Sequence, residues 1–221
     1  MNSKSALLLG ASGLVGGFCL QALLAEPVYT RIVLLNRRQL PLEPHPRLEQ
    51  KVVNFENFAP ADFSGADDIF CALGTTIRKA GSPEAFRHVD LEYPLAAAQN
   101  ARETGAKQFV LCSSVGANAK ARNFYLRVKG ELEEGIGKLG FFAFKVFRPG
   151  LLLGQRTEHR PGERLMTTLA PLFNLAMIGG LKRYRAIPAA AVGRGMVSAA
   201  QEDGSGTIIY EYDSILRLTA R

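Results

Sequence analysis

The sequence predicts an α/β fold, a doubly wound parallel sheet with a small C-terminal elaboration. Three observations lead there. Short apolar runs alternate with longer helical patterns through the first two-thirds of the 221 residues. Those runs are almost continuously apolar, as strands buried on both faces are. The first run also ends in closely spaced glycines that open a helix, a turn this architecture uses.

Taken in order, residues 6–9 read as the first strand and 14–24 as the helix that follows. Residues 31–36, 48–55 and 68–73 are the next strands, the last of them ending at Gly74. Ser82-Pro83-Glu84 starts a helix, with an N-cap and Pro at the first helical position. Asp90 and Pro94 predict a break before the main helix, which stops at Gly105. A fifth strand covers 107–113, a helix 124–139 closed by Gly140, and a sixth strand 141–147. Parallel strands joined by helices take right-handed crossovers. After Arg148-Pro149-Gly150 the pattern changes: 154–162 is polar and basic, 163–178 and 189–201 are apolar helix candidates, and 207–212 is a last strand. The chain reads as one domain over 1–221, in which 155–221 elaborates the carboxyl edge of the sheet, where ligands bind in such folds.

Composition excludes several function classes. Apolar residues at 47% and charged residues at 21% describe a globular chain, too apolar for a disordered one. Cys19, Cys71 and Cys112 cannot form a paired framework, and His45, His88 and His159 are scattered, so no metal site is expected. Cys71 and Cys112 fall in apolar strands and read as buried structural thiols. Reduced thiols predict a cytoplasmic protein. No apolar run approaches the ~20 residues that span a bilayer. The stretch from Lys4 to Ala25 imitates a secretory signal, but Gly10, Gly13, Gly16 and Gly17 interrupt it at a spacing that a glycine turn explains. The net charge of +7 suits an anionic partner without choosing its kind. Lys182-Arg183-Tyr184-Arg185 is too short for a nucleic-acid module, and no such partner is expected.

The first motif is Gly10-Ala11-Ser12-Gly13-Leu14-Val15-Gly16, between the first strand and its helix. A pyrophosphate needs a tight turn, bare backbone to approach and a helix N-terminus offering free N–H groups. Gly10, Ser12, Gly13, Leu14 and Val15 are therefore candidate cofactor contacts. About 20 residues further, where an acid would bind the ribose hydroxyls of NAD, the second strand ends Asn36-Arg37-Arg38. Guanidinium groups bind phosphate oxygens bidentately, so Arg37 and Arg38 predict NADP(H).

The second motif is Tyr125-x-x-x-Lys129, which puts both side chains on one helix face. Carbonyl reduction must deliver a proton to oxygen as hydride reaches carbon. A phenol of pKa ~10 does this at neutral pH only when a nearby cation favours its ionised form. Lys129 can supply that charge and hold the nicotinamide ribose. Ser114, at the end of the fifth strand, can hydrogen-bond the carbonyl and orient it; its neighbour Ser113 faces the opposite side.

The order of glycine turn, Ser-Ser strand end, Tyr-x-x-x-Lys helix and Arg-Pro-Gly strand end resembles the atypical or extended short-chain dehydrogenase/reductases. Cys71-Ala72-Leu73-Gly74-Thr75-Thr76, Lys79-Ala80-Gly81, Asn123-Phe124-Tyr125, Val128-Lys129-Gly130-Glu131, Phe147-Arg148-Pro149-Gly150 and Arg160-Pro161-Gly162-Glu163 narrow this. They resemble the Tat-interactive-protein oxidoreductase-like family, over roughly the first 165 residues. The resemblance implies a Rossmann fold with NADPH and a catalytic Ser114, Tyr125 and Lys129. It further implies Asn54, with Phe55, beside the adenine, where relatives often carry Asp. Ala72, Leu73 and Gly74 would lie along the adenosine and ribose, and Pro149 and Leu151 at the nicotinamide carboxamide. Arg156, Arg160 and Arg164 would rim the cleft. The expected partner is a small-molecule carbonyl or alcohol. A second class stays open, an NADP(H)-binding regulator that docks a protein partner, and helices over 91–101 and 125–139 offer a dimer face.

Overall fold

The structure is a computed structural model and describes residues 3–154 and 177–220. Strands β1 (Lys4–Leu9), β2 (Tyr29–Asn36), β3 (Leu48–Val52), β4 (Asp68–Cys71), β5 (Gln108–Cys112), β6 (Ala143–Phe147) and β9 (Gly206–Tyr210) form one parallel sheet. Their spatial order is β3-β2-β1-β4-β5-β6-β9. A two-stranded parallel ribbon joins β7 (Leu152–Leu153) to β8 (Ile187–Pro188).

Side chains alternate across a strand, so this sheet builds two cores. Ala6, Leu8, Ile32, Leu34, Phe70 and Val110 share a core with helices α1 (Leu14–Ala25), α6 (Ala189–Gln201) and α7 (Tyr212–Thr219). Leu7, Leu9, Val33, Leu35, Ile69, Phe109 and Leu111 face the other way, against α4 (Tyr93–Glu103) and α5 (Phe124–Gly137). The segment that imitates a secretory signal is thus an interior strand of the sheet and a packed helix. Among the described residues no helix is long and apolar enough to cross a membrane.

Besides the unexpected β7–β8 ribbon and the non-helical residues 177–178, four departures from the sequence expectation have a local reason. The third strand stops at Val52 because the Asn54 side chain accepts the Glu56 N–H at 3.0 Å and turns the chain. A short helix α2 (Ile77–Ala80) forms where none was expected; the Thr76 hydroxyl accepts the Lys79 N–H and Gly81, in the left-handed region, ends it. Helix α3 (Pro83–Arg87) starts on the Ser82 cap as expected, but no break follows. Pro94 has no N–H to give the Asp90 carbonyl, and the Tyr93 N–H reaches back to His88 instead, so His88–Glu92 is a π-helical turn leading into α4. Finally the last strand ends at Tyr210, and Ser214 accepts the Glu211 N–H at 2.8 Å to start α7, whose Ile215 and Leu218 are buried.

At the amino edge of the sheet a polar cluster ties strands to helix ends. Asp68 accepts from the Tyr29 hydroxyl at 2.6 Å and pairs with Lys4 at 3.0 Å. Lys145, 1% exposed in mid-strand, donates to the carbonyls of Ala199 and Glu202 at the end of α6. The Ala199 carbonyl also accepts the Glu202 N–H at 2.9 Å, and the lysine adds a charged donor at this helix end. Of the C-terminal expectations, the 163–178 helix up to residue 176, the cleft-rim Arg156, Arg160 and Arg164, His159, and the Arg160-Pro161-Gly162-Glu163 motif lie outside the described residues.

Candidate active site

All strands of the main sheet run one way, so every loop leaving a strand end opens on one edge. The strand order reverses between β1 and β4, which leaves a crevice there. Gly10 sits in it with φ +89°, a conformation costly for any residue with a side chain. A β-carbon on Gly10 would stand 2.6 Å from the Ala72 backbone, and one on Gly16 only 2.0 Å from the Gly10 carbonyl oxygen. The two loops and the first turn of α1 therefore touch backbone to backbone. Gly13 caps α1 without a side-chain bond, and its first turn holds no acid. Ser12 and Gly13 are exposed, Gly10 and Leu14 half-buried and Val15 buried. Bare backbone before an uncapped helix N-terminus fits a pyrophosphate.

Beyond the β2 and β3 ends lies a shallow cavity of about 470 Å³ lined by Arg37, Val52, Val53, Asn54, Phe55, Glu56 and Tyr93. Phe55 is buried edge-on against the Tyr93 ring, and the Tyr93 hydroxyl donates to Glu56. Arg38 is exposed and is not among the lining residues, so of the two adjacent arginines only Arg37 reaches the cavity.

The sheet's other half carries the Ser, Tyr and Lys. Ser114 is half-buried just past β5. Ser113 is buried and donates to Glu133, whose carboxylate also receives Arg148 at 2.5 Å. Its hydroxyl is thus engaged on the α5 side. The Val115 N–H donates to the Pro149 carbonyl at 3.0 Å, linking the loops after β5 and β6; Pro149 is buried and Leu151 exposed. The loop carrying Ser114 then folds onto α5 at Gly130, where a β-carbon would lie 2.1 Å from the Ala119 nitrogen.

Helix α5 begins on an Asn123 cap, which accepts the Leu126 N–H at 3.1 Å. Tyr125 is half-buried against Phe86, ring centroids 5.7 Å apart. One turn on, Lys129 is 4% exposed, and its ammonium lies 2.7 Å from Oδ1 of Asp90. Burial works against that charge, but the Asp90 carboxylate and then Tyr125 outweigh it and hold Lys129 above the ordinary lysine range. Asp90 is fully buried, and its Oδ2 accepts the Thr75 N–H at 2.7 Å. Gly74 is exposed beside this pair: a β-carbon on it would be 3.3 Å from Asp90 Oδ1 and 3.7 Å from Lys129 Nζ.

No family model matches the chain. It is 40% identical to protein HTATIP2 of Rattus norvegicus over 224 aligned residues, covering 99% of this chain and 90% of that one. The chain belongs to the HTATIP2 family. Protein FMP52, mitochondrial, of Candida albicans is 34% identical over 92% of this chain and 91% of its own. Among solved structures, MoeE5 in complex with UDP-glucose and NAD superposes with a TM-score of 0.70 at 12% identity, over 98% of this chain and 80% of that chain. Bordetella bronchiseptica WbmH in complex with NAD+ gives 0.67 at 15% identity, over 94% and 75% respectively. At that identity the likeness carries the Rossmann-like fold. The relatives also overturn the cytoplasmic location, because the Candida and Emericella nidulans proteins are named mitochondrial. Unpaired thiols argue only against an oxidising compartment.

Within this HTATIP2-family fold, Asp90, Glu133 and Tyr93 join the site edge although the sequence reading gave them no site role, and Thr75, quoted there only within a family motif, joins them. Asp90 did carry a signal. Phe86, Asp90, Pro94 and Ala97 recur at helical spacing, and a carboxylate on such an apolar stripe needs a buried partner.

Proposed function

We propose that this chain is an NADPH-dependent oxidoreductase that reduces an aldehyde or ketone, or oxidises the matching alcohol. The observation behind this reading is the buried Lys129 ammonium one helical turn from Tyr125, on the sheet edge that carries the glycine turn. When bound, the nicotinamide supplies the hydride that goes to the carbonyl carbon. The chain's residues manage the oxygen. Ser114 donates a hydrogen bond to it, and the Tyr125 phenol gives it a proton, or takes one from the alcohol in the reverse direction. Lys129 favours the phenolate left behind and anchors the ribose. Gly10, Ser12, Gly13, Leu14 and Val15 would take the pyrophosphate, and Arg37, with Arg38 further out, the 2′-phosphate. Asn54 and Phe55 would meet the adenine, Ala72, Leu73 and Gly74 the adenosine and ribose, and Pro149 and Leu151 the carboxamide.

Tyr125→Phe tests the reading. Turnover of a carbonyl probe should fall by about 10²-fold or more, the range general acid–base groups supply, while NADPH affinity by fluorescence titration stays within about twofold of wild type. Retained turnover overturns the mechanism. A wild-type chain that binds NADPH yet turns over no aldehyde, ketone or alcohol would instead fit the regulatory class. For the compartment we take the mitochondrion, on the names of the FMP52 relatives, and fractionation of the tagged protein decides it.

A further inference from the structure

We propose that Asp90 is a positioning residue of this site: its buried carboxylate holds the Lys129 ammonium beside Tyr125 and, through its second oxygen, pins the Thr75 backbone of the loop after β4. The proposal rests on the assignment of Tyr125 and Lys129 made above.

The geometry is that of one anion joining three segments. Asp90 comes from the π-turn, Lys129 from α5 and Thr75 from the β4 loop. Both charges of the pair are buried, Asp90 at 0% and Lys129 at 4% exposed. Apart from the ammonium, Oδ1 has no hydrogen-bond donor, so its local electrostatics depend on Lys129. The π-turn arises from Pro94, which leaves the Asp90 carbonyl without its usual donor and passes the Tyr93 N–H to His88. Among the described residues four ionisable groups face the lysine. Asp90 approaches from the π-turn, Tyr125 from its own helix, Cys112 from β5 and Cys71 from β4. Burial pushes the two thiols up to about 11 and about 12, so they stay neutral at working pH. The counter-charge at Lys129 is therefore Asp90. Without it, an isolated buried ammonium sheds its proton. Gly74 adjoins the pair, so the same carboxylate links the cofactor-facing β4 loop to the lysine.

The experiment reads the lysine directly. With lysine 13Cε-labelled protein, and Lys129→Met to identify the signal, Lys129 of the wild type should show no titration up to pH 11. In Asp90→Asn, which keeps the shape and loses the charge, its midpoint should fall by about 2 pH units or more, as buried lysines do. Asp90→Glu should restore most of the wild-type behaviour. An Asn variant whose Lys129 titrates as in wild type overturns the proposal. If Asp90→Asn does not fold, the double variant Asp90→Asn/Lys129→Met should, since the cost is the stranded charge; failure of the double variant overturns the proposal as well. In turnover, the alkaline limb of kcat/KM for 4-nitrobenzaldehyde should move to lower pH in Asp90→Asn, and an unmoved limb in an active variant rejects the positioning role. If the wild type reduces no carbonyl, the carbonyl-reduction reading fails while the NMR result still decides whether Asp90 holds the lysine charged.

Discussion

Arg37 and Glu56 bring opposite charges to the cavity beyond β2 and β3. The hydroxyl of Tyr93 holds the glutamate, which leaves the guanidinium as the group that an incoming phosphate dianion would meet. A hydrogen bond to a charged group contributes about 1.5–3 kcal/mol, so Arg37→Ser should weaken NADPH binding by about tenfold or more and change NADH binding little. Parallel titrations with the two nucleotides check this, and equal losses for both would remove the 2′-phosphate role. The adjacent arginines show how far residue-level reading reaches. A basic pair at the end of the second strand was evident in the sequence, but which member reaches the cavity depends on how the chain turns after Asn36. At Ser113 and Ser114 strand alternation predicted opposite facings, and the Ser113 hydroxyl is engaged by Glu133 on the α5 side. Asp90 was read by its effect on the helix, and its buried pairing with Lys129 requires three segments distant in sequence to meet.

Between elements, fit is set where backbones touch. The Ser114 loop rests on α5 at Gly130, with the Ala119 nitrogen and Asn118 where a side chain would begin. Gly130→Ala forces that loop off the helix. Overpacking of this kind typically costs about 1–3 kcal/mol, so the thermal midpoint should drop and turnover should fall further than the stability loss implies, because Ser114 moves with the loop. Differential scanning fluorimetry beside steady-state kinetics checks both, and an unchanged kcat would free Ser114 from this contact. Elements with a strong local signature were legible: the apolar strands, the Ser82 cap with Pro83, and the Tyr-x-x-x-Lys helix. Helix α7 was not, since Glu211 and Ser214 cap it only after β9 has ended. The π-turn was not either, because a lone proline signals a break as readily as a wider turn.

Across the whole molecule, the three thiols and Tyr29 lean one way in pH, whereas burial lowers Lys145. Burial raises Cys19, Cys71 and Cys112 from their ordinary 9.0, the latter two to about 12 and about 11. Burial, and then Asp68, raise Tyr29 as well. For a group whose folded value is raised, the stability contribution is complete below the unfolded value and is lost as pH climbs through the folded one. Thermal midpoints measured from pH 7 to 11 should therefore decline from about pH 9 upward, where unfolded thiols begin to ionise. A midpoint flat to pH 11 would contradict this. The doubly wound architecture was legible from the sequence because runs apolar on both faces have few other homes. The pairing of β9 beside β6 was not, since Ile208 and Ile209 form a short run with no helix-spaced companion to fix its place.

The ribbon of β7 and β8 bears on how such a chain diversifies. The backbone leaves it at Leu153 and rejoins it at Ile187, with Leu152 paired to Ile187 and Leu153 to Pro188. The chain that joins Leu153 to Ile187 thus starts and finishes on one small clasp, itself separate from the seven-stranded sheet. Insertions, deletions or wholesale exchange there need only respect the clasp and leave strand register untouched. Sequence between the two strands of the clasp can thus vary, or be exchanged as a cassette, without disturbing the parallel sheet and its glycine turn.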